Sequence, residues 1–291
     1  MSRHITTGTS LRFMTVVMLL GVAGGAPALA QASDDRAVCS TSGIEGPYVF
    51  SVIPAFNSFQ GPQGSVSAFA PVALLGRYTF NGQGSVSRSL SVSLAGEPPF
   101  TVQDSGTYVV TPDCTGSVSF PDAGETLSFV VVSTRTIAIG TTTPGEVGAG
   151  SLQKQELKGC TLDSLRGNYV YTANGNFATY APPSVPPNPP LLMDAFFPVS
   201  VVGLLTFDGR GGVKRNFQSV NFGGFSFPYA DTGTYTVSGD CTGSMFFQSD
   251  QESFSLRLVN SRTVLAQVVV APLPGVGVAT IVRQDLNGDH E

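Results

Sequence analysis

The chain has 291 residues, a formal net charge of −5 and only 12% charged residues, which is about half the usual share. This acidic balance argues against nucleic acid and anionic membrane surfaces as partners. Its two histidines, His4 and His290, lie close to the two ends. The sequence therefore predicts no Ser-His-Asp or Cys-His catalysis, no His-ligated metal site and no cofactor.

The first 30 residues have the pattern of a signal peptide. Arg3 and Arg12 precede an apolar run that starts at Phe13, and Ala28 and Ala30 occupy the small-residue positions before a cleavage point. The alternative is a membrane anchor, but the apolar run is too short to span a bilayer, and no later stretch reaches the ~20 apolar residues required. We expect cleavage after Ala30, a secreted or periplasmic mature protein of net charge −7, and no integral membrane segment.

The rest of the chain contains an internal duplication of one domain. The segment from Cys39 to Phe50 matches the segment 121 residues later, and the segment from Gly76 to Ile139 matches at an offset of 127, with 25 identities in 64 positions. Each copy has the size of an ordinary domain. We expect a signal peptide over 1–30, a first repeat over 31–157 and a second over 158–291.

Within a copy, period-two alternation of large and small residues predicts about eight strands. In the first copy these lie near residues 47–53, 72–80, 84–94, 104–111, 116–120, 125–132, 135–140 and 147–154. The pairs Asn81-Gly82 and Asp208-Gly209 are strong hairpin signals. A meander of eight strands closes most economically into a barrel. The fold prediction is all-β, a tandem duplication of an approximately eight-stranded antiparallel up-and-down β-barrel; the alternative is an immunoglobulin-like β-sandwich.

Four cysteines occupy equivalent positions in the two copies, which indicates a disulfide framework in an exported chain. Only the pairs Cys39–Cys114 and Cys160–Cys241 would keep each repeat self-contained. A redox pair or thiolate metal site is the alternative, but the CxxC spacing is missing.

The stretch "GSVSRSLSVSL", residues 84–94, places Arg88 on the apolar face of a predicted strand, and Arg215 repeats it in the second copy. An inward arginine must be paired. Glu125 and Glu252 lie on similar apolar faces, so we expect the pairs Arg88–Glu125 and Arg215–Glu252. Asp104 and Asp231 are interpreted as the first residues of a strand.

Two interpretations of these pairs remain open. In the first, they are structural ion pairs, or the arginine lies at a barrel mouth with its head in water. In the second, they mark a ligand site in the barrel interior, with the arginine holding an anionic or polar head. The candidate ligand-binding residues are Tyr78, Arg88, Glu125, Arg215 and Glu252.

The string G-T-Y-x-V-x-x-D-C-T-G-S starts at Gly106 and again at Gly233. It resembles a motif of uncharacterised secreted bacterial proteins, whose other hallmarks are L-x-G-x-Y and T-F-D/N-G-x-G. The second copy has both; the first departs at Ile44. The resemblance implies location and fold but no chemistry. The strand layout also resembles barrels of the lipocalin and allene-oxide-cyclase type.

Three functions fit the sequence. The first is an exported, non-enzymatic tandem barrel that binds a small apolar or amphipathic molecule. The second is a structural or cell-surface interaction module with solid barrels, whose protein partner is unknown. The third is a His-free cyclase or isomerase that uses Glu125 or Glu252 as acid or base. A cavity favours the first, a filled interior the second, and a cavity with an unneutralised glutamate the third.

Overall fold

The computed structural model describes residues 39–56, 59–61, 64–66, 70–94, 99–144, 146–180, 193–222, 225–249, 251–270 and 275–284. The predicted signal peptide lies outside these residues. Among those described, the helices are three 3-10 turns, Thr41–Gly43, Pro121–Ala123 and Leu162–Ser164. None of them is long and apolar enough to cross a membrane.

The first repeat forms a barrel of eight long or medium strands with four short strands beside them. The strands are β1 (Glu45–Val52), β2 (Ala55–Phe56), β3 (Phe59–Gly61), β4 (Gly64–Val66), β5 (Ala70–Asn81), β6 (Ser85–Leu94), β7 (Phe100–Val110), β8 (Thr115–Phe120), β9 (Glu125–Ser133), β10 (Thr136–Thr141), β11 (Glu146–Val147) and β12 (Ala149–Lys154). The order around the barrel is β1-β5-β6-β7-β8-β9-β10-β12, and β12 returns to pair with β1. The strand β2 joins β5 to β11 at one end of this barrel, and β3 pairs with β4.

The second repeat closes in simple chain order. Its strands are β13 (Arg166–Tyr180), β14 (Met193–Asp208), β15 (Gly212–Phe222), β16 (Phe225–Val237), β17 (Thr242–Phe247), β18 (Glu252–Leu258), β19 (Thr263–Val270) and β20 (Gly275–Arg283), and β20 pairs with β13. All pairings in both barrels are antiparallel. The predicted all-β tandem of eight-stranded antiparallel barrels is confirmed, and the sandwich alternative is wrong.

The disulfides Cys39–Cys114 and Cys160–Cys241 are both present, as expected. Each joins the segment before the first strand of its barrel to a turn between two later strands. Cys114 and Cys241 have φ angles of 67° and 65°, a left-handed conformation that side chains with a Cβ seldom adopt. These turns therefore carry local backbone strain, which the surrounding barrel must hold in place.

The two barrels pack against each other within one compact unit. The strands β1 and β5 of the first barrel face β18, β19 and β20 of the second. A small apolar cluster of Val49, Leu75, Val259 and Leu265 is at most 3% exposed. Gln267 is fully buried there, and its Nε2 donates to the carbonyl of Ala73 at 2.6 Å.

Candidate functional site

Arg88 lies in the middle of β6, on its inward face. The antiparallel register places Tyr78 of β5 and Asp104 of β7 directly opposite it on either side. The Nε of Arg88 donates to Oδ1 of Asp104 at 2.6 Å, and its Nη2 donates to Oδ2 at 2.8 Å. This fork is the strong bidentate form of an arginine–carboxylate pair.

The same guanidinium also reaches Glu125, two strands further round the barrel, through a short hydrogen bond from Nη1 to Oε2. The guanidinium also stacks over the Phe120 ring, whose centroid is 3.7 Å from the Arg88 Cζ. Gly106 makes this possible, because a Cβ there would lie 2.9 Å from the Phe120 ring and 2.2 Å from the Ser119 carbonyl oxygen. The ring thus packs against the flat face of the guanidinium, while the two carboxylates accept hydrogen bonds from the N–H groups along the guanidinium edge.

The structure therefore brings Arg88 and Glu125 together, and it adds a partner that the sequence analysis missed. The sequence pattern places Asp104 at the start of a strand. In the structure β7 begins at Phe100, and Asp104 faces inward from the middle of the strand. A signal was available in the sequence, because an aspartate follows the buried arginine by 16 residues in both copies.

The second barrel repeats the arrangement with a tighter enclosure. Arg215 lies opposite Asp231, its Nη2 donates to Oδ2 at 3.0 Å, and Nη1 bonds to Glu252. The hydroxyls of Tyr229 and Ser249 add further hydrogen bonds to Asp231. The Arg215 side chain is fully buried, against 3% exposure for that of Arg88.

Each arginine is paired with two carboxylates of its own barrel. Burial by itself would lower the pKa of Arg88, but the hydrogen bond to Asp104 and the nearby Glu125 outweigh it, and the pKa is raised. Each barrel therefore contains one cation and two carboxylates in contact. In the first barrel, three of the five guanidinium N–H groups are used by these carboxylates.

Tyr78 completes the cluster of the first barrel, and the second barrel has no tyrosine at the equivalent position. Its ring packs on Phe50 and Phe120, with centroids 5.1 and 5.7 Å away. Burial raises its pKa, so the phenol is neutral over the physiological range. In the second copy, the equivalent position is Leu205, while Tyr171 replaces Phe50 and its pKa is raised by burial as well.

A recess opens into the first barrel beside this cluster. Its volume is about 40 Å³, room for about three or four water molecules at about 10–15 Å³ each. Apolar groups dominate its walls, and Tyr78 and Glu125 provide polar groups; the apolar wall includes Phe50, Val52, Leu74, Leu127 and Ile139. The side chain of Glu125 is 20% exposed, so its carboxylate can still accept a hydrogen bond from a molecule in the recess.

Glu146 is a third carboxyl near this cluster. It lies on β11, and Thr141 and Gly148, which flank β11 in the chain, line the recess, whereas Glu146 itself is not one of the lining residues. Its Oε2 is buried and has no hydrogen-bond partner. Burial, and then the charge of Glu125, raise the pKa of Glu146, while the charge of Arg88 and a hydrogen bond from Thr143 oppose the rise. The first barrel thus holds a carboxyl oxygen that its own structure leaves unsatisfied.

Within the part of the chain that the structure describes, no group of three or more His, Cys, Asp or Glu residues is placed to hold a metal ion. A scan of protein-family models found no match to the chain, and a search of curated proteins found none.

Two solved structures are similar to this chain over most of its length. One is a protein of unknown function of the DUF3598 family from Nostoc punctiforme, at 13% identity and a TM-score of 0.26, with 86% of this chain and 99% of that chain covered. The other is CghA, at 10% identity and a TM-score of 0.24, with 84% of this chain and 90% of that chain covered. At this level of similarity, neither match indicates what the present chain does.

Proposed function

We propose that the protein is an exported, non-enzymatic binding protein, whose first barrel holds the head group of a small apolar or amphipathic molecule. Removal of residues 1–30 would leave two barrel repeats, 31–157 and 158–291. The two disulfides are consistent with an oxidising periplasmic or extracellular location. The residues proposed to line or support the site are Tyr78, Arg88, Glu125 and Glu146, with Arg215 and Glu252 as the corresponding pair in the second barrel.

The observation that carries this proposal is the unsatisfied carboxyl oxygen of Glu146 beside the apolar recess. Buried polar atoms in native proteins almost always have a partner, and an exception calls for an explanation such as a bound molecule. The Arg88 pair needs no ligand, because Asp104 and Glu125 already satisfy it. Glu146 Oε2 is different, since this atom has no hydrogen-bond partner, while Thr143 hydrogen-bonds to the same carboxyl group.

The charges of the cluster determine the chemistry of the head group. One arginine faces Asp104, Glu125 and Glu146, so negative charge is in excess. These carboxylates would repel an anionic head group, whereas a hydroxyl or ammonium group would donate hydrogen bonds to the carboxylate oxygens. The recess has room for a small head group, and its apolar walls could pack against the first carbon atoms of the ligand's apolar body. We therefore expect a neutral or cationic hydrogen-bond donor with an apolar body.

The test uses three probes of equal length: decylamine, decanol and decanoate. The mature protein, exported into an oxidising compartment, is titrated with each one by native mass spectrometry and calorimetry without detergent. We expect the amine and the alcohol to bind and decanoate to bind at least tenfold more weakly. Glu146→Gln should abolish the preference for the amine, because it removes the charge but leaves an acceptor. Glu45→Gln, an exposed glutamate, is the matched control.

Equal or tighter binding of decanoate would contradict the proposed head-group chemistry. If none of the three binds, the second candidate is preferred: a structural or surface-interaction module with solid barrels. One observation favours this alternative, namely the dense packing of the second interior, where Tyr171, Phe217, Phe247 and Phe254 are each at most 4% exposed. The enzyme alternative is supported only by the raised pKa of Glu146, which does not define a reaction.

A further inference from the structure

A second cavity lies outside the barrels, in the groove where they meet. It measures about 460 Å³, within the range of small-molecule sites. Its first wall is the outer face of β5, β6 and β7, and its second wall comes from the turn at Asp240 and from Arg257 of β18. Because strand side chains alternate, this wall is formed by the residues between those of the core.

The outer face of the first barrel presents a polar grid to the groove. The antiparallel register aligns Arg77, Ser89 and Gln103 in one row across three strands. It aligns Thr79, Ser87 and Ser105 in the next row. All six line the groove. The serines of "GSVSRSLSVSL" thus have two roles, since Ser91 meets the second barrel through a 2.7 Å bond to Gln267 while Ser87 and Ser89 face open space.

Two arginines face each other across this groove without a carboxylate of their own. Arg77 comes from the first barrel and Arg257 from the second, and neither forms a salt bridge or a side-chain hydrogen bond with another residue in the described ranges. Burial and then the charge of Arg77 lower the pKa of Arg257. Arg88 and Asp104 also border the groove, but they are paired with one another toward the barrel interior.

Asp240 is the acidic group that both arginines share. Its carboxylate is already used within its own turn, where it accepts hydrogen bonds from Thr242 Oγ1 at 2.7 Å and from the Thr242 amide at 3.2 Å. Hydrogen bonding from Thr242, then the charges of Arg257 and Arg77, lower its pKa against burial. Two cations and one anion leave the groove with an excess positive charge, on a chain whose formal net charge is −5.

The duplication supplies an internal comparison for these arginines. The position equivalent to Arg77 in the second copy is Leu204, and the position equivalent to Arg257 in the first copy is Val130, which is 48% exposed. Neither residue is needed to build the barrel, because the other copy folds the same strand with an aliphatic side chain there. The arginines occur on the two faces that meet, and their equivalents on the outward faces are apolar.

The walls of the groove are held by the adjacent interface. Gln267 bonds across to Ala73 and Ser91, and Gln155 Nε2 donates to the Leu258 carbonyl at 3.0 Å. The apolar cluster that includes Leu75 and Leu265 packs beside these bonds. A site built on two joined barrels is pre-organised, which reduces the entropy lost on binding.

We propose that this groove binds a small organic molecule through a carboxylate or phosphate group, held between Arg77 and Arg257. The guanidinium fork matches both oxyanions, and the hydroxyls of the polar grid would contact the remainder of the ligand. This site is distinct from the recess of the first barrel. The recess has excess negative charge and would reject an anion, whereas the groove has excess positive charge and would attract one.

The experiment measures binding of two probes, inorganic phosphate and succinate, by calorimetry and by the shift in melting temperature, at constant ionic strength set with sodium chloride. We expect at least one probe to bind and to raise the melting temperature of the mature protein. Arg77→Gln and Arg257→Gln should each weaken binding tenfold or more, and the double variant should abolish it. Arg210→Gln, in an exposed hairpin of the second barrel, is the matched control and should leave binding unchanged.

A second readout separates a binding role from a structural one. In the absence of probes, each groove variant should melt at the same temperature as the wild type or higher, because it removes a repulsion between like charges. A structural pair would behave in the opposite way. The proposal is overturned if neither probe binds beyond the chloride control, or if the single variants bind as the wild type does. A drop in the melting temperature of the probe-free Arg257→Gln variant would also overturn it.

Discussion

At the scale of single residues, the buried arginines are the most informative feature of this chain. Each is an ion in the core of a β-barrel, and each is tolerated because a bidentate aspartate, a glutamate and an aromatic ring replace the water it has lost. Their contribution to stability is best measured by replacing the arginine, because its two carboxylates would then be buried without a cation.

We expect Arg215→Met to lower the free energy of unfolding by about 3–5 kcal/mol. The triple variant with Asp231→Asn and Glu252→Gln should recover part of that loss, since it leaves no unpaired charge. Arg166→Met, whose ion pair with Asp163 is largely exposed, should cost less than about 1 kcal/mol. Urea unfolding of the four proteins measures the differences. A triple variant no more stable than the single one would contradict this explanation.

The buried tyrosines predict a loss of stability in alkali. Burial, and then the nearby Tyr108, raise the pKa of Tyr48 from 10.0 to about 12, and burial raises that of Tyr78 and Tyr171. In this window the folded state holds protons that the unfolded state releases, so stability is complete below pH 10 and falls as the pH rises toward 12.

The measurement is the free energy of unfolding at intervals from pH 8 to 11.5, with tyrosinate absorbance recorded in parallel. Tyr48→Phe loses a hydrogen bond to the Thr134 carbonyl and starts from a lower stability, but its alkaline slope should be flatter than that of the wild type. An identical slope in the two proteins would show that Tyr48 does not contribute to the pH dependence.

At the scale of strands, glycines leave space for a large side chain of the neighbouring strand to pack in the barrel interior. Gly106 and Gly233 lie on equivalent strands, and each allows a phenylalanine from the next strand to lie over it. This ring is the one that supports the arginine. The glycines are therefore part of the ion-pair architecture rather than turn residues.

We expect Gly233→Ala to cost about 1–3 kcal/mol, because the added Cβ would meet the Phe246 carbonyl oxygen at 2.4 Å and the Phe247 ring at 2.7 Å. Gly239→Ala is the matched control, since nothing lies within 4 Å of its Cβ and its φ is not positive. Thermal unfolding of both variants tests this. Equal effects would mean that backbone entropy, rather than crowding, determines the outcome.

The disulfide turns allow a related test of backbone conformation. Opening either bridge enlarges the unfolded ensemble by releasing a long loop, with a cost of about 4 kcal/mol in the loop-entropy model. The cysteine of the turn also has a positive φ, and glycine takes that conformation without the penalty of a Cβ.

We therefore expect Cys160→Ser/Cys241→Gly to be more stable than Cys160→Ser/Cys241→Ser by about 1 kcal/mol, although both are weaker than the wild type. Denaturant unfolding of the two variants under non-reducing conditions provides the comparison. A serine variant at least as stable as the glycine variant would show that the turn relaxes once the bridge is absent.

At the scale of the whole molecule, the two barrels are joined unequally. Among the described residues, the main contacts come from β1 and β5 of the first barrel and from β18–β20 of the second, which are not equivalent strands of the two copies. The shared apolar cluster and the buried Gln267 link the two cores, so we expect the wild type to unfold in one calorimetric transition.

Leu265→Ala/Gln267→Ala should separate that transition into two, because it removes the central apolar contact and the bonds to Ala73 and Ser91. Thr172→Ala on the exposed outer wall of the second barrel is the control and should leave a single peak. Two resolved transitions in the wild type would show that the interface does not couple the barrels.

Sequence patterns alone predicted the class and number of the barrels, most of the strand positions, the disulfide pairs and the arginine–glutamate pairs. These depend on short-range periodicity and on a comparison of two copies, which one chain contains in full. The start of β7, and therefore the place of Asp104, was missed, although the alternation of Phe100, Thr101, Val102 and Gln103 before the aspartate already indicates a strand. Register between strands then decides which side chain meets the guanidinium.

Only the tertiary structure revealed Glu146 beside the recess and Arg77 opposite Arg257. Glu146 belongs to a two-residue strand with no equivalent charge in the second copy, so neither periodicity nor repetition marks it. Arg77 and Arg257 are 180 positions apart and occupy ordinary outward positions of their strands. Their proximity is set by how one barrel packs on the other, and that packing depends on surface shape, which no local pattern in the sequence encodes.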